Sequence, residues 1–125
     1  MDGGPSDDPN EDPSYESDPL LAAAMRLLSK DCDAIVGLPI GAGPAVLKAA
    51  AARGSRVPAD VMLAVVDEDP DWADANPPLT ALSLNPIGTA IQLTDLVIDV
   101  IEGKVSAPVE LFIPAHLIVR ASTQR

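Results

Sequence analysis

A continuous apolar run, Val61-Met62-Leu63-Ala64-Val65-Val66, stops abruptly on three acids, Asp67-Glu68-Asp69. A run of strand length that does not alternate predicts a strand buried on both faces, as in a parallel sheet covered by helices. Its surroundings narrow the choice further. Val57 precedes Pro58 and is kept extended by the proline ring. Pro77-Pro78 ends the acidic loop, and Leu79 to Leu84 reads as the next strand. In open parallel sheets, ligands sit just beyond the carboxyl ends of strands. Asp67 is therefore the first candidate functional residue, with Glu68 and Asp69 beside it as a polar clamp on a hydroxylated ligand.

Around this stretch the chain alternates helices and strands. Asp18-Pro19 opens a helix that runs to about Lys30, with an acidic N-cap and proline at the first helical position. Ala34 to Gly37 reads as a short strand, followed by a Gly-rich turn and a helix from Pro44 to Arg53. Gly43 is its expected N-cap and Gly54 its C-terminal cap. Pro86 opens the longest helix, which ends at Gly103. Val109 to Ile113 and Leu117 to Arg120 are expected as two last strands separated by Pro114. This order indicates an α/β layer architecture with a parallel core. The long helix carries one narrow polar stripe, Gln92, Asp95, Asp99 and Glu102, and is apolar elsewhere. Such a helix needs burial on more than one side, from a second lobe or a partner subunit.

Val57-Pro58-x-Asp60-Val61, the apolar strand ending in acids and Pro77-Pro78-Leu79-Thr80 together resemble the lactose-repressor (LacI/GalR) family of transcriptional regulators. The likeness continues through the helix after Pro86 to Leu117-Ile118-Val119-Arg120-Ala121-Ser122-Thr123 and covers roughly residues 13 to 123. It lies in the C-terminal part of that family's effector-binding domain. The resemblance implies an α/β, parallel-sheet, three-layer periplasmic-binding-protein-like (Rossmann-like) lobe, truncated. On that reading residues 1–14 form a disordered acidic tail and residues 15–125 a partial sensor domain. The helix after Pro86 would belong to a second lobe whose sheet this sequence does not encode. In sugar-responsive members the acid at the position of Asp67 bonds ligand hydroxyls, and an aromatic at the position of Tyr15 stacks on the ligand. The family's usual Asn-Asp pair is replaced by Pro39-Ile40, and its Gly-Phe by Val65-Val66. An upstream arginine used by the family would precede Met1.

Composition closes off other classes. The net charge is −11, but residues 1–18 hold seven acids and no base. The remainder is only mildly acidic and has no basic stripe, so direct nucleic-acid contact by this chain is not expected. No apolar run reaches membrane-spanning length, and the acidic N-terminus is unlike a signal peptide, which together indicate a cytoplasmic protein. The single cysteine, Cys32, excludes an internal disulfide, and His116 stands alone, so no catalytic constellation or metal set is visible. Gly37 to Gly43 lacks the Lys-Ser/Thr of a phosphate loop and a third fingerprint glycine. A phospho-receiver reading of Val65 to Trp72 fails because Pro77-Pro78 comes too early for a helix and no later strand ends in Asp. An enzyme is not expected, and no cofactor is implied. The implied partners are a small, sugar-like effector and either a second copy or a full-length homologue, paired through the Pro44–Arg53 helix. A degenerate fragment without ligand binding and a sugar-binding module of a transport system are the alternatives.

Overall fold

The computed structural model describes residues 18–66 and 69–125. Its elements are α1 (Pro19–Leu28), β1 (Ala34–Gly37), α2 (Ala42–Arg53), β2 (Met62–Val65), β3 (Thr80–Ser83), α3 (Pro86–Ile101) and β4 (His116–Ile118). Short 3-10 turns lie at Pro70–Ala73 and Ala121–Thr123. The sheet order is β1-β2-β3-β4, with the first three strands parallel and β4 antiparallel to β3. The parallel α/β core expected from the sequence is therefore present.

Each element has a local cause. Asp18 caps α1, its carboxylate accepting from the amides of Leu20 (3.0 Å) and Leu21 (3.3 Å), with Pro19 at the first helical position. Leu21, Ala24, Met25 and Leu28 recur at helical spacing and face inward. They meet Val46, Ala49 and Ala50 of α2 and the sheet residues Ile35, Leu63, Val65 and Ala81 in one apolar core. Register explains the shared face: Ile35 is opposite Leu63, and Val65 is opposite Gly37 on one side and Ala81 on the other.

Three expectations change. β2 alternates, with Leu63 and Val65 buried and Met62 and Ala64 half-buried, because α1 and α2 pack on the Leu63–Val65 side. Val109 to Ile113 is not a strand. Pro108 and Pro114 bracket it and lack amide donors, and among the described residues no strand lies beside it. The cap of α2 is Gly41 rather than Gly43, since φ of +85° at Gly41 turns the chain into the helix two residues earlier.

The C-terminus is stitched into the sheet. Buried Ser122 donates its Oγ proton to the Leu63 carbonyl (2.5 Å) and accepts from the Thr80 amide (2.8 Å), bridging β2 and β3 where their ladder begins. Arg120 adds bonds from its amide to Thr80 Oγ1 and from its guanidinium to the Leu79 carbonyl, both 2.8 Å. α3 behaves differently. No residue of it is buried, and no other described element packs extensively against it.

Candidate functional site

The carboxyl ends of β1 and β2 form one edge of the molecule. The last rung across them is the Val66 amide donating to the Gly37 carbonyl at 2.8 Å, so the ladder reaches the residue before Asp67. Asp67, Glu68 and Tyr15, the three residues singled out in the sequence, lie outside the described residues. What the structure describes is the frame on either side of Asp67 and Glu68.

One side of that frame is the β1–α2 turn. Gly37 passes so close to α2 that a Cβ there would stand 2.6 Å from the Cβ of Ala42, so only glycine permits this approach. The Ala42 amide bonds back to the Pro39 carbonyl (3.1 Å), which holds Leu38, Pro39 and Ile40 outward at the rim. Ile40 is 84% exposed, an apolar side chain held in solvent at a strand end. Gly43, inside the first turn of α2, is buried; a Cβ there would meet Leu79 Cδ1 at 2.9 Å and Val65 Cγ1 at 3.4 Å. Its role is close packing of α2 against the sheet, which the capping reading missed.

The other side is the loop after β2. Asp69 caps the 3-10 turn Pro70–Ala73 by accepting from the Asp71 amide at 2.9 Å. Trp72 packs against the core, and its carbonyl accepts from the Leu79 amide at 2.8 Å. The Asp69 cap shapes this turn, and the Trp72–Leu79 bond ties it to the residue that enters β3. Asp69, the third acid of the run, is thus engaged as a backbone cap. Trp72 is a structural residue here; its lone aromatic ring amid acids and prolines was the available signal.

Other titratable groups lie elsewhere. Asp60 precedes β2, at the opposite end of the strand, and accepts from the Arg56 amide (2.7 Å), Nε (3.0 Å) and Nη2 (3.1 Å). These bonds from Arg56 hold the Asp60 carboxyl below the usual carboxylate range. His116 is exposed on β4, and Cys32 Sγ lies 3.4 Å from the Leu27 carbonyl. Among the described residues no group of three His, Cys, Asp or Glu side chains is placed to hold a metal ion.

Among the described residues the rim of this edge is apolar, formed by exposed Leu38, Pro39 and Ile40. Residues 4–123 match the model of the periplasmic binding protein-like domain family. The chain belongs to that family. The relatives of this periplasmic binding protein-like domain are LacI-family regulators. It is 33% identical over 110 residues to the HTH-type transcriptional regulator CelR of Thermobifida fusca, covering 86% of this chain and 32% of CelR. The structure of a CelR–cellobiose complex superposes with a TM-score of 0.76 over 86% of this chain and 33% of that one, at 33% identity. A LacI-family regulator from Bifidobacterium animalis subsp. lactis gives 0.74 at 32% identity, over 83% of this chain and 39% of that one. The chain spans about a third of the length of the curated relative. Among the described residues, no helix is long and apolar enough to cross a membrane.

Proposed function

We propose that this chain is the effector-sensing and dimer-forming portion of a LacI-type transcriptional regulator, acting in the cytoplasm without contacting nucleic acid itself. Its effector is a small carbohydrate, bound at the carboxyl ends of β1 and β2 by Asp67 and Glu68, with Tyr15 stacking on a sugar face. Residues 15–125 make up the sensing unit, and the outer face of α2 is its pairing surface. The observation that carries this reading is the frame around residues 67 and 68: the ladder runs to Val66, and Asp69 and Trp72 fix the far side of the loop. The 33% identity to a regulator solved with cellobiose supports the carbohydrate class.

Exposed Ile40 favours a second reading, in which the binding edge has lost function and the fragment no longer takes a ligand. A thermal-shift screen of mono- and disaccharides separates the two, because a ligand that binds only the folded state raises its melting temperature. Under the sensor reading at least one sugar raises it, and Asp67→Ala abolishes the shift while leaving the ligand-free melting temperature within about 2 °C. No response to any sugar would overturn the sensor reading.

A further inference from the structure

We propose that the effector of this site is a glycoside carrying a compact apolar aglycone, which the β1–α2 turn takes while the acids after β2 take sugar hydroxyls. The inference rests on the sensor reading of the same edge and names the class of carbohydrate held there. The turn Gly37-Leu38-Pro39-Ile40-Gly41-Ala42-Gly43 contains no polar side chain. Its three outward residues, Leu38, Pro39 and Ile40, are exposed, Leu38 at 69%. Their place beside the acids follows from the ladder. The Val66 amide bonds the Gly37 carbonyl, so the chain enters Leu38 after β1 and Asp67 after β2 one residue past the same rung. Neighbouring strands are about 4.8 Å apart. A ligand the size of a disaccharide resting on one strand end therefore reaches the other, whatever packs over the rest of the edge.

The chemistry of the turn selects the apolar group. A sugar hydroxyl pressed against Leu38 and Ile40 would give up its bonds to water with no side-chain donor or acceptor to replace them, which costs affinity. An alkyl or aryl group placed there instead removes apolar surface of both partners from water. Branched aliphatic side chains also lack the flat ring that stacks on a sugar face, a role the sensor reading gives to Tyr15. Three restraints hold the rim outward. The Pro39 ring fixes its own backbone, the Ala42 amide holds the Pro39 carbonyl at 3.1 Å, and φ of +85° at Gly41 turns the chain into α2. A ligand thus meets a surface already in place, and little is lost in ordering it. One side of the site is acidic and the other aliphatic, so a molecule with hydroxyls at one end and an apolar group at the other matches both.

Isothermal titration calorimetry of the 125-residue chain tests this with matched pairs, the methyl and n-butyl β-glycosides of glucose, galactose and cellobiose. At least one pair is expected to bind, its n-butyl member about tenfold more tightly, since each methylene removed from water favours binding. Leu38→Ser with Ile40→Asn should bring that ratio close to one, and Ile40→Leu, which keeps an apolar group, should retain most of it. All these side chains are exposed, so the ligand-free melting temperature should hold. Ile87→Asn with Ile91→Asn, on exposed α3, should leave the ratio as in wild type. Its loss there would assign the butyl chain to α3 and overturn the proposal, as would a ratio that survives Leu38→Ser with Ile40→Asn. Methyl and n-butyl members that bind equally would overturn the aglycone assignment alone and leave the sensor reading standing. So would no binding by any of the six beside a positive thermal shift with an unsubstituted sugar. No response in either experiment would overturn both.

Discussion

At the scale of single residues, Asp60 shows how a motif position acquires its meaning from geometry. In the sequence it is one letter of Val57-Pro58-x-Asp60-Val61; in the structure its carboxylate closes residues 56–60 into the turn that feeds β2. The Arg56 amide and guanidinium favour the charged carboxylate, so its folded pKa lies below its unfolded one. A depressed carboxylate contributes stability that is fully present above the unfolded pKa, about 3.9, and lost as pH falls through the lower folded value. Wild type and Asp60→Asn are therefore expected to differ in urea unfolding near pH 6 and to converge toward pH 2. A constant gap across that range would mean the turn does not depend on this charge. Asp69 makes a complementary point, because its run of three acids reads as one clamp in sequence, yet its own carboxylate is spent on the Asp71 amide.

At the scale of elements, most boundaries were legible because they carry chemical punctuation. Asp18-Pro19, Gly54 and Pro86 mark helix ends where a cap or a proline is favoured, and the structure uses all three. Val109 to Ile113 was misread because β-branched and aromatic residues signal a surface that fits a sheet, not a partner to pair with. The start of α2 was misread because two glycines stood close together, and backbone sign at Gly41 and contact at Gly43 are both invisible in sequence. The contact has a consequence. Gly43→Ala would press its methyl group on Leu79 and Val65, costing about 1–3 kcal/mol in chemical denaturation. An unchanged midpoint would show that α2 can lift from the sheet without loss. α3 reads in sequence as too apolar for one contact face, and in the structure none of its residues is buried.

At the scale of the whole molecule, the strand-by-strand reading and the resemblance pointed to one architecture, a parallel sheet edge with acids at its carboxyl end. The fold was legible because turn chemistry and motif order agree, although β2 alternates in burial where a strand buried on both faces is expected. The candidate site was legible in location only: β1 and β2 converge on Val66, while Asp67, Glu68 and Tyr15 lie outside the described residues. Specificity depends on side-chain placement there, which no spacing rule supplies. The most direct measurement is an amide NMR titration of the 125-residue chain with cellobiose. If carbohydrate binds at this sheet edge, shifts concentrate at Gly37 to Gly41, Val66 and Asp69 and leave Asp60, at the opposite end of β2, unmoved. Saturating perturbations centred on any other surface, or none at all, would contradict the assignment of this edge as the effector site.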